Sequence, residues 1–219
     1  RVLPKPNLLH FSVTLDYPAY LHKITETMDN NGNITVPQGT HITWKFHTAN
    51  ADEVQITTGT QQIRIPCNNN LCSYGVQARN DFSYQASSSN SYLNNRDSLQ
   101  YFVSVIPDAF PEIHVERSQD SLYFDRFYFK GGIRDDYGFR KLQFVSFVMK
   151  DKDTVRPATA TPIPFQPDAT AQPFYFYFDA QTLSLSLGES LHYYFEVWDN
   201  DGVNGSKRSR TGEMTFKLP

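Results

Sequence analysis

Only two cysteines and three methionines occur in 219 residues, and long runs of alanine, leucine, glutamate and lysine are missing. So is any long apolar stretch: the longest, Phe144 to Met149, is broken by Ser146 and is far too short to span a bilayer. An excess of basic charge is lacking too. The net charge of −3 removes any general electrostatic case for nucleic acid or an anionic membrane. The six histidines are scattered, with no pair at metal-ligand spacing. The serine-rich stretch Ser87 to Ser91 has no Gly-x-Ser-x-Gly context and reads as a flexible loop. No catalytic constellation is visible, so an enzyme is not expected.

What the chain does have is aromatic residues, 15% of the total with 17 Phe and 13 Tyr, punctuated by turn residues every ten positions or so. That is β-rich composition. Apolar–polar alternation marks strands at 8–15, 34–36, 41–47, 54–58, 61–65, 73–77 and 101–105. Ile42, Trp44 and Phe46 share one face, which makes Trp44 a core residue. Leu21, Ile24 and Met28 have the spacing of one short helix. After Pro107-Asp-Ala-Phe-Pro111, where two prolines forbid a helix, the pattern restarts at 113–115, 122–133, 142–149, 174–178, 191–197 and 214–218. Residues 151–173, rich in Pro, Thr and Ala, read as a long surface connection.

Leu185-Ser-Leu-Gly188, the alternating strand Leu191 to Val197 and the turn Asp199-Asn-Asp201-Gly202 follow one another as they do at a late corner of an immunoglobulin-like sandwich. The expected fold is therefore all-β: two tandem antiparallel immunoglobulin/fibronectin-III-like β-sandwiches, residues 1–107 and 108–219. Residues 1–107 balance 7 basic against 7 acidic side chains and residues 108–219 carry 13 against 16, so the net negative charge lies in the second domain. The start at Arg1 and the abrupt end at Pro219 read as a piece of something longer.

Cys67 and Cys72 flank Asn-Asn-Asn-Leu between two alternating segments, a spacing that lets them face each other across a hairpin neck as a disulfide, with two ordinary reduced thiols as the other reading. Opposed antiparallel residues have the separation a disulfide requires, and such a bridge suits an oxidising compartment. In the second sandwich, Asp135-Asp136 falls between the second and third strands and Asp199-Asn200-Asp201 between the last two. Those loops share a pole, which Asp108 could approach. Two readings stand side by side. Asp135, Asp136, Asp199 and Asp201 form a hard-oxygen set of the kind calcium takes, with Lys207 and Arg208 as internal competitors; or they are turn residues bonding their own backbones. Ser206 to Arg210 reads as a solvated basic hairpin edge. Tyr175 and Tyr177 flank Phe176, so one aromatic face of that strand points outward, to carbohydrate, protein or another domain.

Gly132-Ile-Arg-Asp135-Asp136-Tyr137-Gly138, Val105-Ile-Pro107-Asp108 with Pro111-Glu-Ile113, and Trp198-Asp199-Asn-Asp201-Gly202 with Asn204-Gly205 together resemble the extracytoplasmic region of a family of large membrane-anchored bacterial proteins, a domain of unknown function. Tyr17-Pro18-Ala19-Tyr20 and Val36-Pro37-Gln38-Gly39-Thr40 extend the resemblance loosely into the first half. It implies a periplasmic or cell-surface location and no catalytic residue. It also implies that Ser98, Ser121 and Thr154, each in an Asp-Ser/Thr-apolar triplet, are candidate O-glycan acceptors. The expected role is a non-enzymatic spacer or protein-interaction module, its partners other envelope proteins or the rest of the same chain. A carbohydrate-binding or adhesion module is the alternative, and a glycoside hydrolase fragment stands third.

Overall fold

The computed structural model describes residues 3–94, 98–119 and 122–218. The chain forms two compact units, Arg1–Asp108 and Ala109–Pro219.

The first unit contains β1 (Asn7–Asp16), β2 (Glu26–Asp29), β3 (Ile34–Pro37), β4 (His41–Ala49), β5 (Glu53–Thr58), β6 (Gln61–Pro66), β7 (Leu71–Gln77), β8 (Phe82–Ser89) and β9 (Leu99–Ile106). One sheet has the order β2-β1-β4-β7 and the other β3-β9-β8-β5-β6. Alternation along β1 and β4 turns Phe11, Val13 and Leu15, with Ile42, Trp44 and Phe46, into the space between the sheets. There they meet Val54, Ile56, Tyr84 and Val103 of the other sheet. Trp44 Nε1 donates to Tyr84 Oη at 2.9 Å, and the Tyr84 hydroxyl donates in turn to the Gly32 carbonyl at 3.1 Å. Both polar tips of the aromatic core are thus satisfied, as burial requires. Burial also raises the Tyr84 phenol above its ordinary range.

The second unit contains β10 (Glu112–Gln119), β11 (Arg126–Arg134), β12 (Phe139–Lys150), β13 (Asp153–Pro162), β14 (Ala171–Asp179), β15 (Glu189–Asp199), β16 (Arg208–Arg210) and β17 (Met214–Lys217). Its sheets run β10-β11-β14 and β13-β12-β15-β16, with β17 also paired to β15. Phenylalanine fills the space between them. Phe144 lies 4.9 Å from Phe176, 4.8 Å from Phe178 and 5.1 Å from Phe195, centroid to centroid. Each unit is an immunoglobulin/fibronectin-III-like sandwich of two facing sheets.

Several expectations need correction. The pairing of β3 with β9 is parallel, the exception to an otherwise antiparallel set among the described strands. No helix covers Leu21 to Met28: a single 3₁₀ turn at Ala19–Leu21 gives way to β2, because Ile24 is exposed and has no face to bury. Ser87 to Ser89 belong to β8 rather than a loop, their small side chains packing where the strand pairs with β5. The strand expected from Leu122 begins only at Arg126. The supposed connection 151–173 contains β13, an edge strand with almost every residue exposed. An edge strand with no buried face shows no alternation, and its prolines removed the remaining sequence signal.

The candidate acidic pole and an exposed tyrosine face

Three loops of the second unit meet at one end of the sandwich. In the β11–β12 loop, Asp135 accepts hydrogen bonds from the Tyr137 and Gly138 amides, both at 3.0 Å, and its own amide donates to the Thr170 carbonyl at 2.9 Å. Gly138 has φ of +115°, and a Cβ there would strike the Pro167 carbonyl oxygen. Only glycine lets that carbonyl come close enough to accept from the Phe139 amide at 2.7 Å. Asn200, from the β15–β16 loop, donates to the Tyr137 carbonyl at 2.9 Å and ties the third loop to the first.

In the β15–β16 loop, Asp199 Oδ1 accepts from the amides of Lys207 at 2.7 Å and Asp201 at 3.2 Å. Asp201 Oδ1 accepts from Val203 at 2.7 Å and Asn204 at 3.1 Å. The second oxygen of each acid faces one ammonium: Lys207 Nζ lies 3.0 Å from Asp199 and 2.8 Å from Asp201, with both carboxylates fully buried. Burial alone would raise the Asp201 carboxyl, but Lys207 and the amides of Asn204 and Val203 more than offset it and hold the group below the ordinary carboxylate range. Among the described residues, no such cation acts on Asp135. Burial pushes it up to about 6, assisted by the negative charges of Asp136 and Asp199 and opposed by its two amide donors. Its Oδ1 is buried and without a hydrogen-bond partner.

The acids therefore gather as the topology requires. Among the described residues, no group of three or more His, Cys, Asp or Glu is arranged to hold a metal ion. Lys207 takes the place between Asp199 and Asp201, and Asp136 is exposed and accepts from the Ala109 amide at 3.3 Å. Asp108 ends the first unit. The basic run divides: Lys207 turns inward instead of being solvated, while Arg208 pairs with Glu196 at 3.4 Å and lies over the Trp198 ring. Turn chemistry and an internal ion pair account for Asp199 and Asp201, and turn chemistry for one oxygen of Asp135, while its other oxygen has no hydrogen bond.

A second surface lies on the outer face of the β10-β11-β14 sheet. Period-two alternation sends Phe174, Phe176 and Phe178 to the core side and Tyr175 and Tyr177 outward. Strand register sets Tyr128 directly beside Tyr177, ring centroids 5.1 Å apart, and Lys130 beside Tyr175. On the β10 side, Glu116 pairs with Lys130 and His114 with Gly132. Tyr175 is 69% exposed, and Tyr128 and Tyr177 are each 47% exposed. Sequence reading found two of these tyrosines. Tyr128, Lys130 and His114 join them only through register, which a single sequence does not display.

Residues 12–190 match the family described as Domain of unknown function (DUF4175). The chain belongs to this family. No curated protein matches it. Among solved structures, the DUF4175 chain is similar to the fibronectin(III)-like modules of Clostridium thermocellum CbhA at 12% identity and TM-score 0.27, with 90% of each chain covered. It is similar to a marsupial T cell receptor at 12% identity and TM-score 0.26, covering 83% of this chain and 95% of that one. It is also similar to Bacteroides uniformis β-glucuronidase 3 at 11% identity and TM-score 0.26, covering 82% of this chain but only 23% of the glucuronidase. Superpositions this loose assign no role to any residue.

In the DUF4175 chain Cys67 and Cys72 are bonded, with α-carbons 4.4 Å apart. The neck is a tight turn: Asn68 and Leu71 exchange both backbone hydrogen bonds, and Asn69 and Asn70 take positive φ between them. The cysteines form the next, closer pair of that ladder. Beyond it the strands part, β6 pairing with β5 and β7 with β4, so the bridge clamps one sheet to the other rather than closing a long hairpin. Of the acceptor candidates, Ser98 is exposed just before β9. Thr154 is exposed on β13 opposite Met149, not in a loop. Ser121 lies outside the described residues.

Proposed function

We propose that this DUF4175 region is a non-enzymatic spacer and interaction module, held in the periplasm or at the cell surface as part of a larger membrane-anchored bacterial protein. Its partners are other envelope proteins or the rest of the same chain. The observation that carries the reading is the ammonium of Lys207 between Asp199 and Asp201. A glycoside hydrolase requires two carboxylates roughly 5–10 Å apart across a cleft, one ready to give a proton and one to attack or activate water. A carboxylate that is buried and ion-paired to lysine does neither. The acids brace three loops, which favours a rigid scaffold over a reaction centre. The Cys67–Cys72 bridge supports the compartment, since structural disulfides persist where the surroundings are oxidising.

The test uses the protein in its own cells. Thiol alkylation without reductant is expected to leave Cys67 and Cys72 unlabelled, and protease added outside the cytoplasmic membrane is expected to cut the chain. Two labelled thiols, or full protection from external protease, would overturn the location. Turnover of aryl glycosides by the purified chain, lost on Asp201→Asn, would overturn the non-enzymatic role.

A further inference from the structure

We infer that the outer face of the β10-β11-β14 sheet binds an uncharged oligosaccharide along Tyr128, Tyr177, Tyr175 and His114. The inference deepens the reading of the region as an interaction module by naming a ligand class, and it stands or falls on a separate measurement.

Four observations converge. The first is exposure where the strand had a choice. β14 alternates so that every phenylalanine faces the core and both tyrosines face solvent, amphipathic rings with a hydroxyl at the wet end. The second is layout. Tyr128 and Tyr177 stand side by side across two strands, and Tyr175 follows two residues along, about 7 Å away in an extended strand. Successive rings at that interval suit successive pyranose rings, whose axial C–H faces pack on aromatic rings while their equatorial hydroxyls reach sideways for polar groups. The third is the shelf beyond them. A Cβ at Gly132 would collide with the His114 imidazole, so glycine lets that ring lie down on the sheet, in register with Pro173 on the far strand. Glu116 and Lys130, in the row with Tyr175, supply an acceptor and a donor beside the shelf.

The fourth observation is charge and composition. Arg126, Lys130 and Arg134 point outward on β11, against Glu112, Glu116 and Asp179 on its two neighbours, three positive and three negative. The face is neutral, so it matches an uncharged ligand better than an acidic polymer or a basic peptide. Its outward positions carry no Leu, Ile, Val or Met, only Ala171 and Pro173 as aliphatic residues. Protein-docking hot spots also favour tyrosine and arginine, but they sit in well-packed, desolvated pockets near the centre of an interface. Three rings this exposed, set in adjacent rows among balanced polar groups, instead fit sugar.

The experiment titrates the intact 219-residue chain with neutral hexasaccharides, namely cello-, xylo-, manno- and malto-hexaose, by calorimetry and by tyrosine chemical-shift perturbation. At least one is expected to bind with Kd at or below the millimolar range, with shifts confined to the tyrosine face. Tyr175→Ala is expected to weaken it tenfold or more, Tyr128→Ala to weaken it as well, and Tyr92→Ala, another exposed tyrosine in the first unit, to leave it unchanged. Raising salt from 50 mM to 1 M should change Kd less than twofold. Absence of binding by all four sugars at 10 mM would overturn the proposal. So would affinity that survives Tyr175→Ala, or self-association of the chain that Tyr175→Ala abolishes, which would assign the face to a second copy. None of these outcomes bears on whether the region is a non-enzymatic extracytoplasmic module.

Discussion

Lys207 Nζ stands 2.8 Å from Asp201 Oδ2 and shares its charge with Asp199 at 3.0 Å. One ammonium from the far end of the loop bridges two fully buried carboxylates at its start. The loop is closed electrostatically, by the arrangement a bound cation would otherwise provide.

Removing that ammonium should therefore be severe. Lys207→Met leaves two buried negative charges uncompensated, and breaking a buried pair in this way costs about 3–5 kcal/mol. Wild-type chain should melt at the same temperature in chelator and in millimolar calcium, because the ion would have to displace a covalently tethered competitor. Lys207→Met should regain part of its loss in calcium. A wild-type melting temperature that rises with calcium would show that the acids take a metal despite the lysine.

Asp135 and Asp201 predict opposite pH dependences from the same pole. Asp135 has a folded pKa of about 6 against an ordinary value of 3.8, so the native state holds its proton more tightly than the unfolded chain. Stability must then fall as pH rises from about 4 to about 6 and stay lowered above that. Asp201 is depressed, so its contribution is present above the ordinary carboxylate range and is lost as pH falls through its folded value. Asp135→Asn keeps an oxygen for the Tyr137 and Gly138 amides and discards the charge. It should stabilise the chain at pH 7 by something on the order of 2 kcal/mol and make no difference near pH 4. Urea melts at the two pH values decide it, and destabilisation at pH 7 would mean that the orphaned oxygen has a partner needing its charge.

How much of this was legible follows from what each feature depends on. The two sandwiches, the core position of Trp44 and the inward–outward split of Tyr175 and Phe176 depend on period-two alternation, which a sequence displays directly. The gathering of Asp135 and Asp199 depends on topology, and so was readable once the fold class was. The destination of Lys207 was not, because its neighbour Arg208 is equally basic and only side-chain direction separates the inward residue from the outward one. β13 was invisible because an edge strand exposed on both sides has no pattern to show. Tyr128 with Lys130 and His114 became a surface only through register.

The Cys67–Cys72 bridge closes a loop of a few residues, so its effect on the unfolded chain is limited to about 2 kcal/mol. Because β6 and β7 diverge into different sheets just beyond it, the loss should be felt between the sheets rather than in one hairpin. Replacing both residues, Cys67→Ser with Cys72→Ala, is expected to lower the melting temperature by several degrees. It should also speed amide exchange in β6 and β7 ahead of β1 and β4. Uniform acceleration across the first unit would show that the bridge acts only on global stability.

Phe144 and Tyr175 give the sharpest contrast between a residue that holds the fold and one that does not. Phe144 is fully buried and touches the rings of Phe176, Phe178, Phe195 and Tyr193, joining both sheets of the second unit. Phe144→Ala removes a whole ring from a packed interior that has little room to collapse and should cost about 3–5 kcal/mol. Tyr175, on the strand that carries Phe176, is 69% exposed. Tyr175→Ala should change stability by no more than about 0.5 kcal/mol, as surface substitutions do. Chemical denaturation of the two variants separates the roles. If Tyr175→Ala proves as damaging as a core truncation, the ring is structural and its exposure needs no ligand. If it is neutral, stability offers no reason for three exposed tyrosines on one sheet face.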